Sequence, residues 1–413
     1  MWTEAMCRHM KILYILPQPY LLPRGSSYRA QSTVDALAEL GHDVDMLCYP
    51  IGSDPAQKRY AIHRAARPPG MKSVRIGPSP GKVLMDMPLM FRASAMARRT
   101  RYDVIHGVEE AGFIACALGR RQGLPFIYDM HSWMSQQIEG SRFGRWKLPL
   151  KAFRRFEQYA MRRASAILTV GQDMTERLRS SLAPSVYSVT LPDCPMVFPD
   201  PPDPAVRDRI LREYFGEPRR TLLYTGNFHV YQGIDLLLKS IRELKNRIDG
   251  QVPFVLLLVG GGEGERTEIE KYRRQAVELG IERHVVFCGE HMAADIPVFL
   301  ERADVLVSSR ISGNNVPLKV YTFLSSGIPL VATRVPSHLQ ILNDQNSILA
   351  APTPADFARA LQYALMEQSD EQRKAMARSA GRVTPDEQRT AFREVLRGAY
   401  AECEGKAGHA SAR

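Results

Sequence analysis

At 413 residues, 45% hydrophobic, 24% charged and 8% aromatic, the chain excludes a disordered or fibrous protein and exceeds one ordinary core, so two α/β domains of about 200 residues each are expected. Its six cysteines (Cys7, Cys48, Cys116, Cys194, Cys288 and Cys403) form no CxxC pair, which argues for reduced thiols and against a disulfide framework or a zinc site. The net charge of +11 is uneven, with 27 Lys/Arg against 17 Asp/Glu in residues 1–200 and 28 against 27 in the remainder, so an anionic partner is expected at the N-terminal half.

MWTEAMCRHMK lacks the apolar stretch of a signal peptide, and residues 1–9 read as a loose extension. KILYILPQP (11–19) reads as a buried strand. The turn-rich LLPRGSSYR (21–29) then leads into an amphipathic helix closed by Gly41. VDMLCYP (44–50), YDVIHG (102–107) and PFIYDMH (125–131) read as further strands, with a helix over 111–122. A basic helix follows at 148–164, then the strand AILTVG (166–171). LPDCPMVFPDPPDP (191–204) holds six prolines in fourteen residues and reads as the linker. After it the rhythm restarts: strands at 221–227, 253–262, 285–290, 303–310 and 329–333, with a helix at 233–247 and others between. Strands alternating with helices predict parallel sheets covered on both faces. The expected architecture is α/β, two Rossmann-like domains facing across a cleft: residues 1–195, and 196–385. A final helix over 386–402 is expected to pack back on the first domain, and 403–413 to form a disordered tail. The longest apolar run, Val255 to Val259, is too short to span a bilayer, which predicts a cytoplasmic protein.

The loops after strands are where ligands bind in such sheets. In SSRISGNNVPLKVYTFLSSGIPLVAT (308–333) a strand ends near Arg310, Ser312–Asn315 turn the chain, and Pro317 opens a helix closed by Gly327. A helix N-terminus behind a small polar loop suits a phosphate, with Arg310 and Lys319 as fixed charge. The alternative is a βαβ loop that merely turns the chain.

This stretch resembles the donor-binding segment of retaining glycosyltransferase family 4, of GT-B architecture. YTGNFHVYQGIDLLL (224–238) resembles the family's diphosphate loop and helix, and LLLVGGGEGE (256–265) with VVFCGEHMAADIPVFLERADVLVSS (285–309) the segments leading to the nucleotide base. GSSYRAQSTVDALAELGHDVDMLCYP (25–50) is similar to the first glycine loop and helix, and YDVIHG with PFIYDMHS (125–132) to the strand pair that brings a histidine to the cleft. The resemblance implies His131 as the catalytic or sugar-contacting residue, with Asp129 as its orienter and His106 as either core or cleft. For the donor it implies Gly25, Gly226, Asn227, Gln232, Glu290, Arg310, Asn314, Asn315, Leu318, Lys319 and Thr322. Arg29 reads as a phosphate partner or a solvated helix residue. Two family glutamates, eight positions apart, are here Asn314 and Thr322, and the family's basic pair on the diphosphate loop falls on Asn227 and Gln232. The chain therefore reads as a subgroup with both pairs replaced.

Transfer of a sugar from a nucleoside-diphosphate donor is expected, with retention, no cofactor and no metal, and with UDP favoured by frequency. The alternatives are a sugar-nucleotide epimerase of the same architecture and a non-catalytic sugar-nucleotide-binding partner. A nucleic-acid partner has no recognition motif behind it. Residues 58–101 carry eleven Lys/Arg against Asp86, among Met85, Met87, Leu89, Met90 and Phe91. Residues 142–163 carry eight against Glu157, among Phe143, Trp146, Leu148, Leu150 and Phe153. Basic residues beside exposed apolar ones predict peripheral association with the inner face of an anionic membrane, and a lipid-linked or otherwise anionic acceptor; the alternative is an ordinary basic helix packed by its apolar face.

Overall fold

The computed structural model describes residues 8–21, 25–54, 59–71, 79–139, 147–181, 186–193, 202–248, 250–262, 265–313, 315–380 and 385–411. The chain divides into two compact units, residues 1–193 with 389–413, and residues 194–388. No helix among the described residues is long and apolar enough to cross a membrane.

The first unit runs β1 (Lys11–Leu16), α1 (Gly25–Glu39), β2 (Asp43–Cys48), β3 (Ala61–Arg64), α2 (Pro80–Arg99), β4 (Val104–Val108), α3 (Ala111–Gln122), β5 (Phe126–Met130), α4 (Met134–Glu139), α5 (Lys147–Arg163), β6 (Ala166–Thr169), α6 (Gln172–Ser181) and β7 (Tyr187–Thr190). Its strands lie in the order β3-β2-β1-β4-β5-β6-β7, every pair parallel. The strands are short runs of Val, Ile and Leu, and β4, β5 and β6 are buried at every position, as sheets covered on both faces require. α2 was not legible as a helix. It places Met85, Leu89, Ala93 and Met96 in the core at helical spacing, and the Ser79 side chain accepts from Lys82 N–H to start it.

The second unit runs α7 (Pro204–Tyr214), β8 (Arg220–Thr225), α8 (Ile234–Ile248), β9 (Phe254–Val259), α9 (Arg266–Glu278), β10 (Val285–Gly289), α10 (Ile296–Arg302), β11 (Val305–Ser308), α11 (Leu318–Ser325), β12 (Leu330–Thr333), α12 (Pro336–Leu339), β13 (Ile348–Ala350), α13 (Pro354–Gln362), α14 (Asp370–Ala380) and α15 (Pro385–Ser411). The sheet order is β10-β9-β8-β11-β12-β13, again parallel. Both units are thus Rossmann-like.

From Arg389 onward α15 belongs to the first unit, where Phe392, Leu396, Ala399, Tyr400 and Cys403 are buried. The tail expected to be disordered instead continues α15 to Ser411. Alanines at 407 and 410 extend a helix that packing has already nucleated, and propagation costs little once that is done.

Candidate active site

In the second unit the strand-end loops of β8 and β11 meet. Past β8, Gly226 has φ 133 and Gly260, past β9, has φ 127. A side chain at Gly260 would strike the Gly226 carbonyl, so these loops approach as closely as glycine permits. Tyr224, at the end of β8, is fully buried and its hydroxyl donates to the Asn227 carbonyl at 2.6 Å. Its ring lies 3.7 Å beneath the Lys319 ammonium, which also donates to Gln232 Oε1 at 3.3 Å. Arg310 covers the Tyr231 ring at 5.2 Å and donates to the carbonyls of Ser312 (2.7 Å) and Asn315 (3.0 Å). No ion pair of the described residues involves Arg310 or Lys319. Burial, with the Arg310 charge added, holds the Lys319 amine well below the ordinary lysine range, and burial also lowers Arg310. Behind them His338 bridges Ser308 Oγ (2.9 Å) and the Thr333 carbonyl (2.7 Å), and burial drops its pKa to about 4. His338 is therefore a neutral buttress at physiological pH.

In the first unit the turns after β4 and β5 carry a buried polar cluster. Asp129, wholly buried, stands 3.5 Å from His131 Nε2, 3.6 Å from His106 Nε2 and 3.7 Å from Arg29 Nη2. Burial opposes its charge, but His131 and Arg29 outweigh burial and hold the carboxyl well below the carboxylate range. The same pairing raises His131 against its own desolvation. His106 is fully buried, accepts or donates at Nδ1 with the Tyr400 hydroxyl at 2.8 Å, and is lowered by burial. It is a core histidine.

Arg29 is neither solvated nor a phosphate partner. It is 4% exposed and its guanidinium is taken by Asp193 (2.5 Å) and the Leu191 carbonyl (2.9 Å). The geometry brings together Gly226, Asn227, Gln232, Arg310, Asn315, Leu318, Lys319 and Thr322 around the start of α11. Glu290 is exposed, with its carboxylate against Gly262. Gly25 begins α1 in the first unit, and Asn314 lies outside the described residues. The sequence reading missed Tyr224 and Tyr231, whose only signal was an aromatic at a strand end and another in the loop after it. It also missed Glu109, which follows β4.

Two family models match: "Glycosyl transferase 4-like domain" over residues 24–193 and "Glycosyl transferases group 1" over 219–367. The D-inositol 3-phosphate glycosyltransferase of Corynebacterium glutamicum is 24% identical over 320 residues, 74% of each chain. The GDP-mannose-dependent alpha-(1-6)-phosphatidylinositol monomannoside mannosyltransferase of Mycolicibacterium smegmatis is 30% identical over 179 residues, covering 41% of this chain and 44% of that one. In fold, Anabaena HepE in complex with UDP and glucose matches with a TM-score of 0.68 at 15% identity, over 94% of this chain and 99% of that one. With two parallel Rossmann-like sheets and glycosyltransferase models matched across both units, the chain belongs to the GT-B glycosyltransferases.

Proposed function

We propose that the protein moves a sugar from a nucleoside diphosphate, UDP foremost, to a lipid-linked or otherwise anionic acceptor, with retention at the anomeric carbon and without a metal ion. One observation carries this: Arg310 and Lys319 stand together at the start of α11 with no carboxylate of the described residues paired to either. Two desolvated cations side by side are unfavourable until an anion joins them. A diphosphate would supply that anion, and the first N–H groups of α11 would add to its stabilisation as charge develops on the leaving group. Charge absent at Asn227 and Gln232 is thus moved to α11, since the Gln232 amide now accepts from Lys319. His131 is assigned to the sugar by the resemblance; its ring stands 3.5 Å from Asp129, a pairing that raises its pKa and orients it. The inositol phosphate and phosphatidylinositol mannoside named for the relatives favour an anionic acceptor, in keeping with the basic first unit.

Binding of UDP and of uridine, measured calorimetrically, tests the donor site. Arg310→Ala and Lys319→Ala should each weaken UDP by about tenfold to a hundredfold, the 1.5–3 kcal/mol of a lost charged hydrogen bond, and leave uridine unchanged. Equal UDP affinity in the double variant and wild type overturns the assignment. Release of UDP from UDP-glucose that depends on an acceptor separates a transferase from an epimerase or a binding partner.

A further inference from the structure

We propose that Glu109 binds a neutral hydroxyl of the acceptor, holding a sugar or cyclitol at the carboxyl end of β4 beside His131; this rests on the transferase function proposed above. Glu109 opens the turn from β4 to α3 with φ 49, in the left-handed region that a side-chain-bearing residue adopts at a cost and glycine without one. The residue is buried, with 8% of its surface exposed. Among the described residues its hydrogen-bond donor is the Ser132 hydroxyl, shared by both oxygens at 3.0 and 3.1 Å. No described Lys, Arg or His forms an ion pair with it.

Its neighbours are treated differently. Glu110 pairs with Lys82 at 2.5 Å, Asp86 accepts from the Tyr49 hydroxyl at 2.5 Å, and Asp129 has Arg29, His106 and His131 around it. Backbone strain and a buried carboxylate with no ion-pair partner among the described residues therefore meet in one residue, at the carboxyl end of the sheet where ligands bind. The local charge selects the ligand's chemistry. Carboxylates at 109 and 110 disfavour an anion and His131 disfavours a cation, whereas a hydroxyl donates to the free lone pairs of Glu109.

The groups around Glu109 are His131 and Ser132 from the turn after β5, Tyr128 of β5, the adjacent Glu110, and Lys82 of α2. Burial pushes its carboxyl up to about 7, with Glu110 adding and His131, Lys82 and Ser132 opposing. Hydroxyl binding should therefore strengthen as pH rises through that range, because the ionised form is the better acceptor.

Titration calorimetry of the full chain with myo-inositol and with D-inositol 3-phosphate, at pH 6 and pH 8, tests this. Wild type should bind at least one of the two more tightly at pH 8. Glu109→Gln should weaken it about tenfold and flatten the pH dependence, with UDP affinity unchanged. Glu109→Gly should lose the same binding while its thermal midpoint equals or exceeds that of wild type, which guards against a fold defect. Polyol binding preserved in both variants, or absent from wild type, overturns the proposal. Donor turnover with UDP-glucose and GDP-mannose is measured separately, so loss of the transferase function and loss of the Glu109 role are told apart.

Discussion

His131 shows how much of a residue's role its own sequence context can disclose. A histidine following an apolar strand, beside an aspartate, is more often structural than functional. The structure separates the two histidines: His106 is wholly buried against Tyr14 and Tyr400, while the His131 side chain keeps 14% of its surface open. His131→Ala should lower turnover by roughly a hundredfold or more, the scale of one positioned acid/base or electrostatic group. The sign of its pH effect follows from the pairing. A raised folded pKa contributes stability below the ordinary value of 6.5 that is lost as pH rises through the folded value. The small gap in thermal midpoint between wild type and His131→Ala should therefore narrow with rising pH. A gap that is large and constant with pH would make His131 a packing residue.

At the scale of elements, the central strands were legible because Val, Ile and Leu runs bounded by turn residues leave little choice, whereas β3, β7 and β13, only three or four residues long, were not. Nor was α2. Its core stripe of Met85, Leu89 and Ala93 is interrupted in sequence by Pro88 and by the exposed Met87 and Met90, so the segment reads as a mixed surface. The donor loop was half legible, since spacing located the start of α11 but not the tyrosine faces beneath its cations. Gly313 is the tightest point of that loop. It has φ 121 and a side chain there would collide with the Arg310 guanidinium. Gly313→Ala should weaken UDP binding by about as much as Arg310→Ala does, because the displaced guanidinium no longer reaches the carbonyls of Ser312 and Asn315. Unchanged UDP affinity in Gly313→Ala would separate Arg310 from the phosphate.

For the molecule as a whole, the described residues give the membrane expectation an exposed apolar surface chiefly on α2, with Phe156 exposed on α5. Met85 and Leu89 are core, whereas Val83, Leu84, Met87, Met90 and Phe91 remain exposed, Phe91 by 63%. In the second basic stretch Leu150 is buried, Phe153 is half-buried, and Phe143, Trp146 and the Leu148 side chain lie outside the described residues. The apolar face of α2, with Arg92 beside it and Arg98 and Arg99 in its last turn, is the contact surface to test. Flotation at low salt should recover the protein with anionic liposomes and not with neutral ones, at about 1 kcal/mol per well-placed charge. Phe91→Ala with Met87→Ala should reduce that recovery, and equal recovery on both liposome types would remove the electrostatic component. Sequence alone could not sort these side chains, because burial on a helix depends on which neighbours it packs against.

The return of α15 to the first unit has a consequence for synthesis. Translation delivers residues 1–193 first, yet that unit lacks Phe392, Leu396, Tyr400 and Cys403 of its core until α15 has followed the whole of the second unit out of the ribosome. Until then His106 has no tyrosine hydroxyl to bond, and the apolar ground that α15 will cover is open to chaperones or to aggregation. Residues 194–388, contiguous in sequence, need not wait. The half made first is finished last.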